Sequence, residues 1–266
     1  MRLGVVLGLS LAPYLLLACS LDPQGTGGAG LAGAAGAAGT AGSGGSGGAP
    51  PTGGSGGGLP QPCNGQCVDV NASCTPADVC ECAGAYFDAD GQPDTKASCV
   101  GRITSATVDV TLDHPWIGHV TIQLIPPTGT PLTLASRPGA GAPLEPGNNA
   151  VAQAAHPVRF AGSGEASAQV MGQSGGVVCA ASPCPFIPYP DSLASLHGQP
   201  WLGTWKLCVG DSLTTHVGTL HGFELTLNTI MGPKTGASTP APVLIPDGTF
   251  DNTQATMACA TFALAP

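Results

Sequence analysis

After Cys99 the chain begins to alternate. Ala106, Val108, Val110 and Leu112 are separated by Thr107, Asp109 and Thr111, so an extended segment there carries one apolar face. Val120, Ile122 and Leu124 repeat the period, Pro126-Pro127-Thr128-Gly129 breaks it as a turn, and Leu132 and Leu134 resume it. Further on, Trp205, Leu207 and Val209 form one apolar face and Phe223, Leu225 and Leu227 another. No comparable stretch combines a 3.6-residue period with helix caps. Short alternating strands divided by Gly and Pro turns predict an all-β sandwich.

The chain before Cys99 has a different texture. Residues 1–20 read MRLGVVLGLSLAPYLLLACS, one basic residue followed by an apolar run that ends at a small residue and a cysteine, the architecture of an export signal. Leu16-Leu17-Ala18-Cys19 resembles the lipobox of bacterial lipoproteins, which implies cleavage after residue 18 and acylation of Cys19. Ser20 is not the Asp that in that family marks inner-membrane retention, so the resemblance implies lipid anchoring at the outer membrane or cell surface. Gln24 to Gly58 is built almost entirely of Gly, Ala, Ser, Thr and Pro. Such a segment cannot bury apolar surface and is expected to be a disordered tether. Its mean reach is about 30–35 Å, enough to lift a domain clear of lipid head groups.

Composition narrows the function classes. The 41 Gly and 26 Pro argue against one uniform globular domain. The formal charge of -9 becomes -10 once Arg2 leaves with the signal, the wrong sign for a phosphate-backbone binder, so no nucleic-acid partner is expected. Outside the N-terminus no apolar run reaches the length of a transmembrane helix.

Setting aside Cys19, ten of the eleven cysteines remain, an even number in an exported chain, so up to five disulfides are expected. Cys63, Cys67, Cys74, Cys80, Cys82 and Cys99 cluster in a segment too small to stand on its own core, where disulfide staples are the remedy. Zinc is the weaker alternative, since paired C-x₂-C knuckles are missing. Cys179 and Cys184 are close enough in sequence to bridge. Cys208 and Cys259 then form a long-range pair if the first six close among themselves, with the chain after Ile245 returning as an extra strand; a truncated second repeat would leave Cys259 unpaired. Asp88-Ala89-Asp90-Gly91 with Asp94 lacks the full spacing of a calcium loop and reads as a solvated acidic turn.

The stretch ITSATVDVTLDHPWIGHVTIQLIPPTGTPLTLASRPG, followed after a variable loop by SLASLHGQPWLGTWKLCVGDSLTTHVGTLHGFELTL, resembles the P-domain, or Homo B domain, of proprotein convertases and bacterial subtilisin-like proteases. The positions that carry it are His114, Trp116, Gly118 and Pro127-Thr128-Gly129-Thr130 in the first half. In the second they are Leu193, Leu196, Gly198, Gly203, Trp205, Leu207, Val209, Asp211, Gly218 and Leu220. The resemblance implies a jelly-roll β-sandwich with structural roles for His114, Trp116, Gly118, Gly129, Gly203, Trp205, Asp211 and Gly218. The resulting organisation is a signal peptide over 1–18, a lipidated N-terminus and linker over 19–60, a disulfide-rich segment over 61–100, the sandwich over 101–229 and a C-terminal tail over 230–266.

Departures limit what the resemblance carries. Gly118-His119-Val120 stands where many family members have Gly-Asp-Leu, so any cation role of that Asp lapses. Asp211 matches and is a weak calcium candidate, with the capping of a strand-end turn as its simpler role. No other cofactor is implied. His114/His119 and His216/His221 are each five residues apart, which on a strand puts the members of a pair on opposite faces, so a four-His metal site is not expected. None of the D-[ST]-G, H-G-T-H and G-T-S-x-x-x-P motifs of subtilisin-like catalytic domains occurs, and Ser163 in Gly162-Ser163-Gly164 lacks a nucleophile elbow, so no catalytic residue is assigned. Two classes of function remain: a non-catalytic envelope module that binds an exported protein or glycan or packs against another domain, and an accessory part or remnant of a secreted subtilisin-like endopeptidase.

Overall fold

The computed structural model describes Cys63 and residues 67–91, 98–164, 166–248 and 254–266. The segments expected to be an export signal and a Gly-rich tether, together with Cys19 and Asp94, lie outside the described residues. Strands dominate, and the only helices among the described residues are 3-10 turns of three or four residues. The first four strands are β1 (Ala72–Cys74), β2 (Cys80–Cys82), β3 (Tyr86–Asp88) and β4 (Cys99–Gly101), paired antiparallel as β1-β2 and β3-β4. Then come β5 (Ile103–Asp113), β6 (Val120–Ile125), β7 (Leu132–Ser136), β8 (Val158–Ala161), β9 (Ala166–Ser167) and β10 (Cys184–Ile187). The last five are β11 (Gly203–Asp211), β12 (Gly218–Thr229), β13 (Gly232–Ser238), β14 (Val243–Ile245) and β15 (Ala258–Leu264).

Two sheets make the sandwich. One runs β13-β12-β5-β8-β10-β9, with β14 also on β12; the other runs β15-β11-β6-β7. Their inner faces are the alternating positions. Val108 and Val110 of β5, Val120, Ile122 and Leu124 of β6, and Trp205, Leu207 and Val209 of β11 are wholly buried in one shared core. Thr107, Asp109 and Thr111 point the other way, as a period of two requires. β12 breaks that period. Opposite β5 its register shifts between Leu220 and Gly222, so His221 is the extra residue of a bulge. Leu220 on one side of the bulge and Phe223, Leu225 and Leu227 on the other therefore all face the core.

The sheets continue past residue 229. β13 and β14 both pair with β12, and β15 lies antiparallel to β11 with Cys208 opposite Cys259. Gly236 of β13 is where an added Cβ would come within 2.2 Å of the Phe262 ring, so the tail strands press closely on each other. Upstream, three disulfides join Cys63–Cys74, Cys67–Cys80 and Cys82–Cys99, and two more join Cys179–Cys184 and Cys208–Cys259. The thiol groupings Cys63, Cys67, Cys80 and Cys63, Cys74, Asp78 are close enough for a metal, but their sulfurs are spent in disulfides and offer no thiolate. The Cys-rich segment joins the sandwich core through Phe87, whose ring meets Trp201 edge-on at 6.4 Å. Buried Asp69 holds that segment by accepting the N–H groups of Asn71 and Cys99 at 2.7 and 2.9 Å. Asp88 curls onto its own turn, accepting from the Asp90 and Gly91 amides.

Candidate functional site

The site lies where the chain crosses between sheets. β5 ends at Asp113 in one sheet, a 3-10 turn spans Ile117–His119, and β6 begins at Val120 in the other. His114 is fixed first: its backbone exchanges both hydrogen bonds with Ala152, at 3.0 and 2.8 Å. Its Nδ1 accepts the Trp116 amide at 3.1 Å, so the neutral ring carries its proton on Nε2, which donates to Asp211 Oδ2 at 3.0 Å. Asp211 ends β11 opposite Val120 and is fully buried; its Oδ1 accepts the Leu213 amide at 3.0 Å, an Asx turn at the strand end.

Two glycines make room. An added Cβ on Gly218 would lie 2.3 Å from His114 Cδ2, and one on Gly118 would lie 2.3 Å from the Pro146 carbonyl oxygen and 2.4 Å from the Asn148 amide nitrogen. The second clash is with backbone. We therefore expect Gly118→Ala to lower stability by about 1–3 kcal/mol, the usual cost of overpacking. Urea unfolding measures this; a midpoint within error of wild type would show that the 146–148 segment is free to retreat. Gly129 lies in the turn between β6 and β7, and Gly203 opens β11.

Around this buried pair a second layer faces outward. His119 is 3% exposed, its Nδ1 lies 3.7 Å from Asp211 Oδ1, and that nitrogen has no hydrogen-bond partner. Burial holds the His119 pKa below the ordinary imidazole value; Asp211 pulls it up, and His216, His114 and Arg137 push it down by smaller amounts. Its ring centroid is 5.0 Å from that of His216, and Trp116 stands over both, 5.7 and 5.2 Å away. Trp116 is itself fixed by its Nε1–H donating to the Pro146 carbonyl at 2.8 Å. His216 follows Thr215, a β-branched residue held at φ 104°, a left-handed conformation that costs energy without glycine. The Thr215 amide donates to Asp247 at 3.2 Å, and its hydroxyl pairs with His216 Nδ1 at 2.9 Å. Trp116, His119, Thr214 and His216 thus line a cavity of about 320 Å³ at this end of the sandwich.

Contrary to what strand spacing predicts, three of the four histidines come together. His114 and His119 do not share a strand: His119 closes the 3-10 turn that follows His114, so five residues of separation bring both to Asp211 instead of to opposite faces. His216 joins them from the loop before β12. His221, the bulged residue, turns away to Asp113 at 2.7 Å. Calcium does not suit this donor set. It takes about six to eight oxygens, whereas the Asp211 carboxylate is engaged by protein donors and its surroundings are imidazoles. In a larger hollow of about 440 Å³ on the outer face of β5 and β12, Arg159 is spent on Asp109, which it grips through two bonds of 2.7 and 2.6 Å. Ser163 sits on the exposed connection between β8 and β9.

A β-sandwich whose sheet-to-sheet crossover carries a buried His–Asp pair is the setting in which a family match falls. Residues 103–152 match the model of the proprotein convertase P-domain. That stretch contains β5, the crossover with His114, Trp116, Gly118 and His119, and β6 and β7, while Asp211 and His216 lie beyond it. The P-domain is a non-catalytic accessory domain of subtilisin-like proteases. No curated protein and no solved structure matches the chain.

Proposed function

We propose that this chain is a lipid-anchored envelope protein whose P-domain-like sandwich performs no catalysis itself and serves as a binding or domain-packing module for another exported protein. The observation that carries the reading is the P-domain match over 103–152, in a sequence without any of the three subtilisin-type catalytic motifs. Leu16-Leu17-Ala18-Cys19 supports the anchor. The association of P-domains with subtilisin-like proteases favours one specific version, in which the partner is such a protease and the chain an accessory to proteolysis.

The anchor is tested by Cys19→Ser. A single thioether would carry the diacylglycerol, so the variant is expected to move from the membrane pellet to the soluble fraction. If it still sediments with membranes after a high-salt wash, the anchor reading is wrong. The module reading is tested by crosslinking the full-length protein in its own envelope. A recurrent exported partner supports it, a partner with subtilisin motifs selects the protease version, and peptidase activity of the purified chain alone refutes it.

A further inference from the structure

We propose that His119 and His216 form a binding site for a divalent transition-metal ion, with Asp211 and Thr215 orienting the two rings from behind. The site goes beyond the binding role above and does not rest on it.

Each imidazole turns Nδ1 towards a protein oxygen, hydrogen-bonded in His216 and at 3.7 Å in His119, and Nε2 is the nitrogen left over. In His216, Nδ1 lies 2.9 Å from the Thr215 hydroxyl, and the tautomer in which Nδ1–H donates to that oxygen keeps the lone pair on Nε2. In His119, Nδ1 is shut off from solvent and lies 3.7 Å from Asp211 Oδ1, beyond hydrogen-bond range but close enough for the carboxylate to favour a proton there. That tautomer leaves the lone pair on Nε2 and its ring edge to the cavity that both residues line. A carboxylate or hydroxyl behind the far nitrogen of each ring is the outer support that metal-binding histidines use, fixing tautomer and orientation together. The rings are 5.0 Å apart between centroids and inclined at 66°, close enough for one nitrogen of each to share an ion held at about 2 Å from both.

The donor set selects the ion. Two imidazoles with solvent oxygens suit copper(II), nickel(II) and zinc, with copper(II) the tightest of the divalent series, and give calcium and magnesium nothing they prefer. Trp116, within 6 Å of both rings, reports on the site, because a bound paramagnetic copper(II) ion quenches a neighbouring indole.

The experiment uses the untagged full-length protein with its disulfides formed, titrated with copper(II) and with zinc and followed by calorimetry and tryptophan fluorescence. One ion per chain should bind, with quenching for copper(II), and calcium should not compete. His216→Ala, a partly exposed loop change that leaves the core intact, should weaken affinity at least about 100-fold and abolish the quenching. Thr215→Ala should weaken it about 10-fold, within the range for an outer partner. His221→Ala, outside the site, should leave binding unchanged. Paramagnetic resonance of the copper(II) form should show two imidazole nitrogens in wild type and one in His216→Ala, a count that needs no His119 variant. Undiminished binding by His216→Ala, loss of binding in His221→Ala, a single nitrogen in wild type or no binding at all would each overturn the site.

Discussion

Trp205→Ala should lower the unfolding free energy by about 3–5 kcal/mol, as expected for emptying a large buried aromatic site. The Trp205 side chain is fully buried on the inner face of β11, where Leu207 and Val209 follow it, and its Nε1–H donates to the Trp201 carbonyl at 2.9 Å. The substitution removes the ring and also strands that buried acceptor, which adds to the cavity cost. Since domains of this kind are stable by only about 5–15 kcal/mol, the variant should melt at markedly lower temperature or fail to fold. Trp205→Phe keeps much of the volume and should lose less. An alanine variant that unfolds at the wild-type urea midpoint would move Trp205 out of the core.

Replacing Cys208 and Cys259 together by alanine should cost about 4 kcal/mol on the chain-entropy model, because the bond closes a loop of 51 residues. β15 is an edge strand held to β11 by pairing from Gly203↔Leu264 to Val209↔Ala258, and the disulfide crosses within that ladder. Without the bond, the C-terminal strand becomes the first element to open. Limited proteolysis should then cut between β14 and β15 before the rest of the sandwich unfolds, while wild type resists. A double variant with unchanged midpoint and unchanged cleavage would show that strand pairing alone secures the C-terminus.

The strands that could be read in advance are those with a period-two code. β5, β6, β7 and β11 announce themselves through alternating aliphatics, and the P-domain resemblance rests on the same segments. What escaped the sequence was of three physical kinds. The polar β13, GPKTGAS, has no apolar alternation because it is an edge strand whose inner side carries Lys234 over the Trp201 ring and Gly236 beneath Phe262 in place of aliphatics. The parallel strands β8, β9 and β10 are two to four residues long and separated by Gly-rich connections, too short to establish a period. The histidine grouping was hidden because residue spacing carries meaning only inside one element, and the 3-10 turn that His119 closes and the bulge at His221 each alter the count. Asp211 was visible as a family position; its contact with His114, 97 residues away, is tertiary.

The stretch that carries the family match is not a folding unit. β5 lies between β12 and β8, and both neighbours are outside residues 103–152. Its longest ladder joins Thr107 to Thr226 and Asp113 to Thr219, partners more than a hundred residues later. A chain made N-terminus first must therefore hold Val108, Val110 and Leu112 unpaired on one side until β12 arrives, and β11 must wait for β15. Such non-local pairing makes folding slow and leaves apolar strand edges open meanwhile. A polypeptide cut at residue 152 should aggregate, and the nascent sandwich would depend on a holding chaperone until its C-terminal strands are made.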